Sequence, residues 1–233
     1  MTIPIKIIYR KEYDSKLKRK LNQEKVWDSI AKPWKRYVVN PLPIVSEFLE
    51  DKKGKIVDLG CGAGRNIIKN DNIEYFGVDF SSGQIKNAEK YVKKEKIKAH
   101  LFKSDLSKLN KKTFKNEIFD YGLFISTLHC IESEEKRMDA LKEFYRILKK
   151  DAEALISVWD SADKRFSHIN KNDGDIYMSW KENGKSHMRF YHLYNKKDFI
   201  KIVENADFQI LEIYKPREHD RFSKKNIIVR VKK

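Results

Sequence analysis

Lys55-Ile56-Val57-Asp58-Leu59-Gly60-Cys61-Gly62-Ala63-Gly64-Arg65 is the stretch on which the fold turns. A short apolar run closing on glycines is how a strand buried on both faces of a parallel sheet ends before a ligand loop. Glycine lets the backbone take positive φ and pass close to a ligand without a Cβ in the way. The nicotinamide-dinucleotide pattern G-x-G-x-x-G requires glycine at position 65, but Arg65 stands there and the spacing is G-x-G-x-G. The loop therefore suits a different nucleoside. Asp58, at the strand end, is placed to meet an α-ammonium group directly or through water.

Outward from this loop, Glu74 to Asp79 reads as the second strand, and Asp79 stands about 20 residues on, where a carboxylate accepts hydrogen bonds from ribose hydroxyls. Ser81 and Gln84, three apart, read as a capping box opening a helix with Ile85, Ala88 and Val92 on one face. Ile97 to Phe102 and Phe119 to Ser126 are strands three and four, and Ser104-Asp105-Leu106 places a carboxylate within reach of an adenine amino group. Ser133 caps a helix with Met138, Leu141, Phe144, Tyr145 and Leu148 on one face, and Ala154 to Trp159 is strand five. Strands alternating with helices predict an α/β, doubly wound, mostly parallel sheet with helices on both faces. After a helix over 195–206, Phe208 to Ile213 and Ile227 to Val231 close it as an antiparallel edge pair, seven strands in all. The cofactor-binding set is Asp58, Gly60, Cys61, Gly62, Gly64, Asp79, Phe80, Ser104, Asp105 and Leu106, with Phe119-Asp120 a further ordered landmark.

Two flanking regions are less regular. Residues 1–40 read as a basic extension, mainly helical over 8–28, that either covers the site or lies solvated. The rest, 41–233, is one domain carrying a variable substrate loop over 160–194, whose first part, 160–188, is rich in Asp, Asn, Gly, Ser and Lys and longer than an ordinary connection. The balance of 50 Lys+Arg against 34 Asp+Glu gives +16, a field that favours polyanions such as nucleic acid. No apolar run is long enough to cross a membrane, no signal-peptide core precedes Arg10, and the two cysteines, Cys61 and Cys130, are expected as free thiols. A soluble, cytoplasmic protein without a metal site is expected.

The ordered set from Asp58 to Asp120 resembles the class I S-adenosylmethionine methyltransferases across residues 54 to 160. Outside that core, Val26-Trp27-Asp28-Ser29-Ile30-Ala31, Arg36-Tyr37, Asn40 to Val45, His129, Trp159 and Arg189-Phe190-Tyr191-His192-Leu193-Tyr194 resemble the tRNA wobble-uridine carboxymethyl methyltransferases. The resemblance implies a Rossmann-like fold, S-adenosylmethionine as cofactor, and methylation of the carboxylate of 5-carboxymethyluridine in tRNA to a methyl ester. It also implies a small zinc-ribbon activator subunit as partner. Arg36, His129, Arg189 and His192 would form an electropositive clamp on the acid, and Trp159 and Tyr191 would wall or stack on the uridine. The sequence departs from the family in an insertion before Pro41, in Cys130 where a second histidine is usual, and in Glu218 to Asn226. Two other readings stand beside this one: a methyltransferase for a quinone precursor or metabolite acid, and a methyltransferase-like RNA-binding subunit without activity.

Overall fold

The computed structural model describes residues 6–17, 20–36, 40–169, 174–182 and 184–233. The leader is a strand, β1 (Ile7–Tyr9), followed by helices α1 (Arg10–Leu17) and α2 (Gln23–Lys35). The leader is mainly helical, as expected, with one short strand added: Ile7-Ile8-Tyr9 is β-branched and aromatic, and it finds an edge to pair with. Helix α3 (Pro43–Leu49) starts on a proline, which suits a first turn whose N–H groups lack partners.

Then come β2 (Gly54–Leu59), β3 (Ile73–Asp79), α4 (Ser82–Glu95), β4 (Ala99–Lys103), β5 (Phe119–Ile125), α5 (Glu134–Ile147) and β6 (Leu148–Trp159). Their order in the sheet is β4-β3-β2-β5-β6, all parallel. Between Leu59 and Ile73 the chain makes turns rather than a helix, so the alternation is interrupted directly after the glycine loop. Helix α6 (Lys196–Glu204), β9 (Gln209–Ile213) and β10 (Asn226–Lys232) close the domain, with β10 antiparallel to both β6 and β9. The seven-stranded sheet and its antiparallel edge pair are as expected.

Each face of this sheet is buried under helices. Phe144 of α5 and Phe199 and Val203 of α6 pack with Phe124, Ile156 and Val229 on one side. Val45 and Phe48 of α3 pack with Ile56, Leu123 and Ile228 on the other. The apolar periodicity of these strands and helices supplies most of the driving force for the arrangement.

The expected loop at 160–188 contains a second sheet. Strands β7 (Asp175–Glu182) and β8 (Lys185–His192) form an antiparallel hairpin, and β1 adds to β7, giving the order β1-β7-β8. Asn183-Gly184 between two runs is a strong hairpin signal that composition alone obscured. Helix α2 is fixed between the two sheets. Gln23 accepts from Phe190 N at 2.9 Å, and the Asp28 carboxylate accepts from Ser81 Oγ at 2.7 Å and Gly83 N at 2.9 Å at the start of α4. The leader thereby roofs the carboxyl ends of the parallel strands. Tyr37 and residues 170–173 lie outside the described residues.

Candidate active site

The strand order reverses between β2 and β5, and the glycine loop sits at that point, where open α/β sheets bind ligands. Gly60, Gly62 and Gly64 have φ of 78°, 55° and 86°, conformations that side chains rarely adopt. A Cβ on Gly60 would lie 2.2 Å from Thr127, so the loop and the end of β5 approach too closely for any other residue. Thr127 Oγ1 donates to the carbonyl of Ile125 at 3.0 Å.

Beside this loop opens a cleft of about 540 Å³ between β2, β5, β6, the hairpin and α2. A smaller chamber on its other side is lined by Asp79, Phe80, Asp105 and Leu106 together with Gly60 and Thr127. The expected cofactor residues thus divide: Gly60, Asp79 and Phe80 face both spaces, Cys61 and Gly62 the larger, Asp105 and Leu106 the smaller. Asp58, Gly64 and Ser104 line neither, the Ser104 backbone N–H donating to Asp79 O at 3.0 Å. Asp120 stands apart, near the opposite end of the sheet, where it accepts from Lys55 N at 2.8 Å and pairs with Lys149. It secures the turn into β2 and belongs to no site.

Asp58 is buried behind the loop, with Oδ2 lacking any partner. Burial, reinforced by the Asp79 charge, pushes its carboxyl up to about 7, and Arg65 opposes the shift. Burial also raises Asp79 to about 6, although its oxygens accept from Ser81 N at 2.9 Å and Gly62 N at 3.0 Å. Two desolvated acids at a glycine loop favour a cationic ligand, whose charge restores their ionised form. Asp105 spends one oxygen on Ser107, whose N–H donates at 3.0 Å. Ser81 caps α4, accepting from Gln84 N at 3.1 Å, but the capping box is only half made: Gln84 Oε1 is buried without a partner and Gln84 lines the cleft.

At the far end of the cleft, Trp159 and Tyr191 stack with centroids 4.1 Å apart, and His129 lies 5.0 Å from Trp159 and 5.7 Å from Tyr191. His129 is 1% exposed, and neither ring nitrogen has a partner; the Tyr191 hydroxyl is likewise unpartnered. Burial, with the nearby charges of His192 and Arg165, drives the His129 ring down to about 3. It is therefore neutral at physiological pH and adds no charge to a clamp, which corrects its expected electropositive role. Its nitrogens are a donor and an acceptor awaiting a polar ligand edge.

The other expected clamp residues are not brought to the cleft. Arg36 is the exposed C-terminal cap of α2. Arg189 is 4% exposed, its guanidinium enclosed by Trp34 at 5.2 Å, Trp180 and Tyr191 at 5.4 Å and Trp27 at 5.9 Å. Such a cage stabilises a buried cation through ring faces, and it braces α2 against the hairpin. His192 Nδ1 lies 2.7 Å from Asp175 Oδ1, a carboxylate that also meets Arg10 at 3.4 Å, so it ties the hairpin to the leader.

The cations that do line the cleft are Arg65, Arg165, Arg221 and Lys225, and the sequence reading named none of the last three. Trp27 and Trp34 line it as well; seven apart on α2, they share one face, a spacing that was legible. Both cysteines line the cleft as free thiols.

Comparison with known proteins agrees with this geometry. The methyltransferase domain family model matches residues 50–210. A tRNA (carboxymethyluridine(34)-5-O)-methyltransferase of Schizosaccharomyces pombe is 29% identical over 211 residues, covering 80% of this chain and 88% of that protein. The protein of the same name from Saccharomyces cerevisiae is 28% identical over 160 residues, 67% of this chain and 55% of its own length. Among solved structures, a SAM-dependent methyltransferase from Methanosarcina mazei superposes with a TM-score of 0.68 at 21% identity, over 84% of this chain and 99% of that one, a likeness of fold.

Proposed function

Because this chain belongs to the methyltransferase domain family, we propose that it is an S-adenosylmethionine-dependent tRNA methyltransferase that esterifies the carboxylate of 5-carboxymethyluridine at the wobble position. The observation that carries the reading is the make-up of the cleft: an unpartnered buried acid behind the glycine loop, and aromatic rings with Arg165, Arg221 and Lys225 elsewhere in the lining. Relatives whose names specify this reaction support it.

S-adenosylmethionine, when bound, supplies an electrophilic methyl group on a sulfonium centre. Asp58, directly or through water, and Asp79 are the residues to receive its ammonium and ribose hydroxyls, and the chamber of Phe80, Asp105 and Leu106 suits the adenine. The unpartnered Asp58 Oδ2 fits this assignment, because a buried acceptor left alone costs free energy that a cationic ligand recovers. A substrate carboxylate is already a nucleophile at neutral pH, so no general base is needed. The chain's work is to align the oxyanion and keep water out. Trp159 and Tyr191 offer a stacking wall for an everted base, and neutral His129 offers hydrogen bonds to a uracil edge. Arg189 acts by holding Trp27, Trp34 and Tyr191 in place, and His192 by fixing the hairpin.

Relatives whose names specify a tRNA substrate weigh against the small-molecule reading, and the presence of Asp58 and Asp79 at the glycine loop weighs against the inactive subunit, so neither is favoured. No helix among the described residues is long and apolar enough to cross a membrane, and the proposed tRNA substrate supports a cytoplasmic enzyme. A zinc-ribbon activator belongs to the same reading; β4 and β9 end the main sheet and are the strands to which a further strand can add.

Transfer of radiolabelled methyl groups to total tRNA, followed by nucleoside mass spectrometry, tests the proposal. An alkali-labile methyl ester on uridine is the expected product; label confined to protein or small molecules would overturn it.

A further inference from the structure

Of the clamp residues named from sequence, Arg36, Arg189 and His192 lie away from the cleft and His129 is neutral, yet the proposed substrate is an acid. Three other cations stand at its aromatic end. Arg165 follows β6 and lies over Trp159 at 4.8 Å and over Phe166 at 5.0 Å. Its Nε is 3.1 Å from Asp163 Oδ2, an ion pair that leaves the guanidinium's terminal nitrogens without a carboxylate hydrogen bond among the described residues. Arg221 and Lys225 come from the segment before β10, some 60 residues further along the chain. Among the described residues neither is joined to a carboxylate by an ion pair.

Lys225 is held down from its ordinary value first by burial and then by the positive charges of Arg165 and Arg221, with the Asp163 carboxylate opposing the shift. The three are therefore electrostatic neighbours that repel one another without a ligand. Polar groups buried beside them point the same way: Asn226 lines the cleft with Oδ1 unpartnered, as do His129 and the Tyr191 hydroxyl. Cations crowded at one wall, next to unsatisfied hydrogen-bonding groups, are the arrangement of a seat for an oxyanion.

We propose that Arg165, Arg221 and Lys225 form the seat that receives the oxyanion of the substrate nucleotide, with Trp159 and His129 holding the base beside it. This rests on the reading of an acidic uridine substrate and assigns it residues that the sequence did not. The oxyanion comes either from the pendant carboxylate or from a phosphate flanking the everted base. The segment 218–226, where the chain departs from the family it resembles, thus carries two of the three cations.

The test is calorimetric titration of the full chain and its Arg221→Ala, Lys225→Ala and Arg221→Lys variants with two probes. One is 5-carboxymethyluridine, which has the carboxylate and no phosphate; the other is uridine 3′,5′-bisphosphate, which has phosphates and no carboxylate. Arg221 is exposed, so its loss leaves the fold intact, and melting curves check that. We expect at least one probe to bind and to lose roughly tenfold to hundredfold in affinity in both alanine variants, with Arg221→Lys restoring most of it. The probe that responds identifies the source of the oxyanion. Unchanged affinity for both probes, or no binding of either by the unaltered chain, overturns the seat. The substrate reading fails separately, if tRNA gains no methyl ester while probe binding still depends on Arg221 and Lys225.

Discussion

At the glycine-loop end of the cleft the decisive charges are the acids Asp58 and Asp79, forced toward neutrality by burial with Arg65 in partial opposition; at the aromatic end bases outnumber acids, Arg165, Arg221 and Lys225 against Asp163. The first end is written in 25 consecutive residues and shaped by backbone conformation. The second is assembled from α2, the ends of β5 and β6, the hairpin and the turn before β10. Each end is electrostatically unsatisfied in the sense opposite to its proposed ligand. On the proposed function, this arrangement would bring a cationic methyl donor and an anionic acceptor together, each relieving the tension in its half of the cleft.

The sharpest way to break this contrast is Asp58→Asn, which leaves shape and removes charge. S-adenosylmethionine affinity measured by calorimetry should fall by about hundredfold, the scale of a buried charge-assisted contact. The free protein should behave oppositely. Both acids titrate higher in the folded chain than in the unfolded one, so their stabilising contribution is full below about pH 4 and is lost as pH rises through about 6 to 7. At pH 8, Asp58→Asn should therefore melt higher than the parent, by roughly 4–8 °C if about 2 kcal/mol is recovered. A lower melting temperature would mean that Asp58 has a partner in the free state.

Trp159→Ala probes the other end. Removing the stacking wall should lower kcat/KM for tRNA by roughly thirtyfold, the scale of one base–aromatic stack, with cofactor affinity nearly unchanged. Equal losses in both would place Trp159 in the cofactor half. His129→Gln should cost about tenfold in kcat/KM, from one lost hydrogen bond. Because the ring stays neutral above about pH 3, the pH profile between 5.5 and 8 should keep its shape. Disappearance of an inflection near 6.5 would show a charged histidine and overturn that role. The smallest effect belongs to the roof. Asp28→Ala removes the acceptor for Ser81 Oγ and Gly83 N, costing about 1 kcal/mol, or roughly 2–4 °C, with a few-fold weaker cofactor binding.

The main sheet was legible because its strands are continuous apolar runs and its helices show a clear 3.6-residue period. The second sheet was not. Strands β7 and β8 are buried on both faces at their centre and polar toward the hairpin tip, so they show no alternation, and the pairing of β1 with β7 joins segments about 170 residues apart, which no local pattern reveals. The clamp was misplaced for a related reason. Arg189 resembles a ligand-binding residue in sequence, and only the packing of Trp27, Trp34 and Trp180 around it shows that its charge is used internally.

What the sequence by itself determined was the fold class and the glycine-loop end of the cleft. Positive φ at Gly60, Gly62 and Gly64 and an acid at the end of each strand are local requirements, satisfied by residue type at fixed spacing. What only the tertiary structure decided was which cations line the cleft and how deeply His129 is buried. Those are properties of burial and of distance between remote segments. Whether an arginine serves a ligand or a tryptophan cage depends on what the folded chain places around it, and a basic side chain costs too much to bury for the choice to be left without a partner.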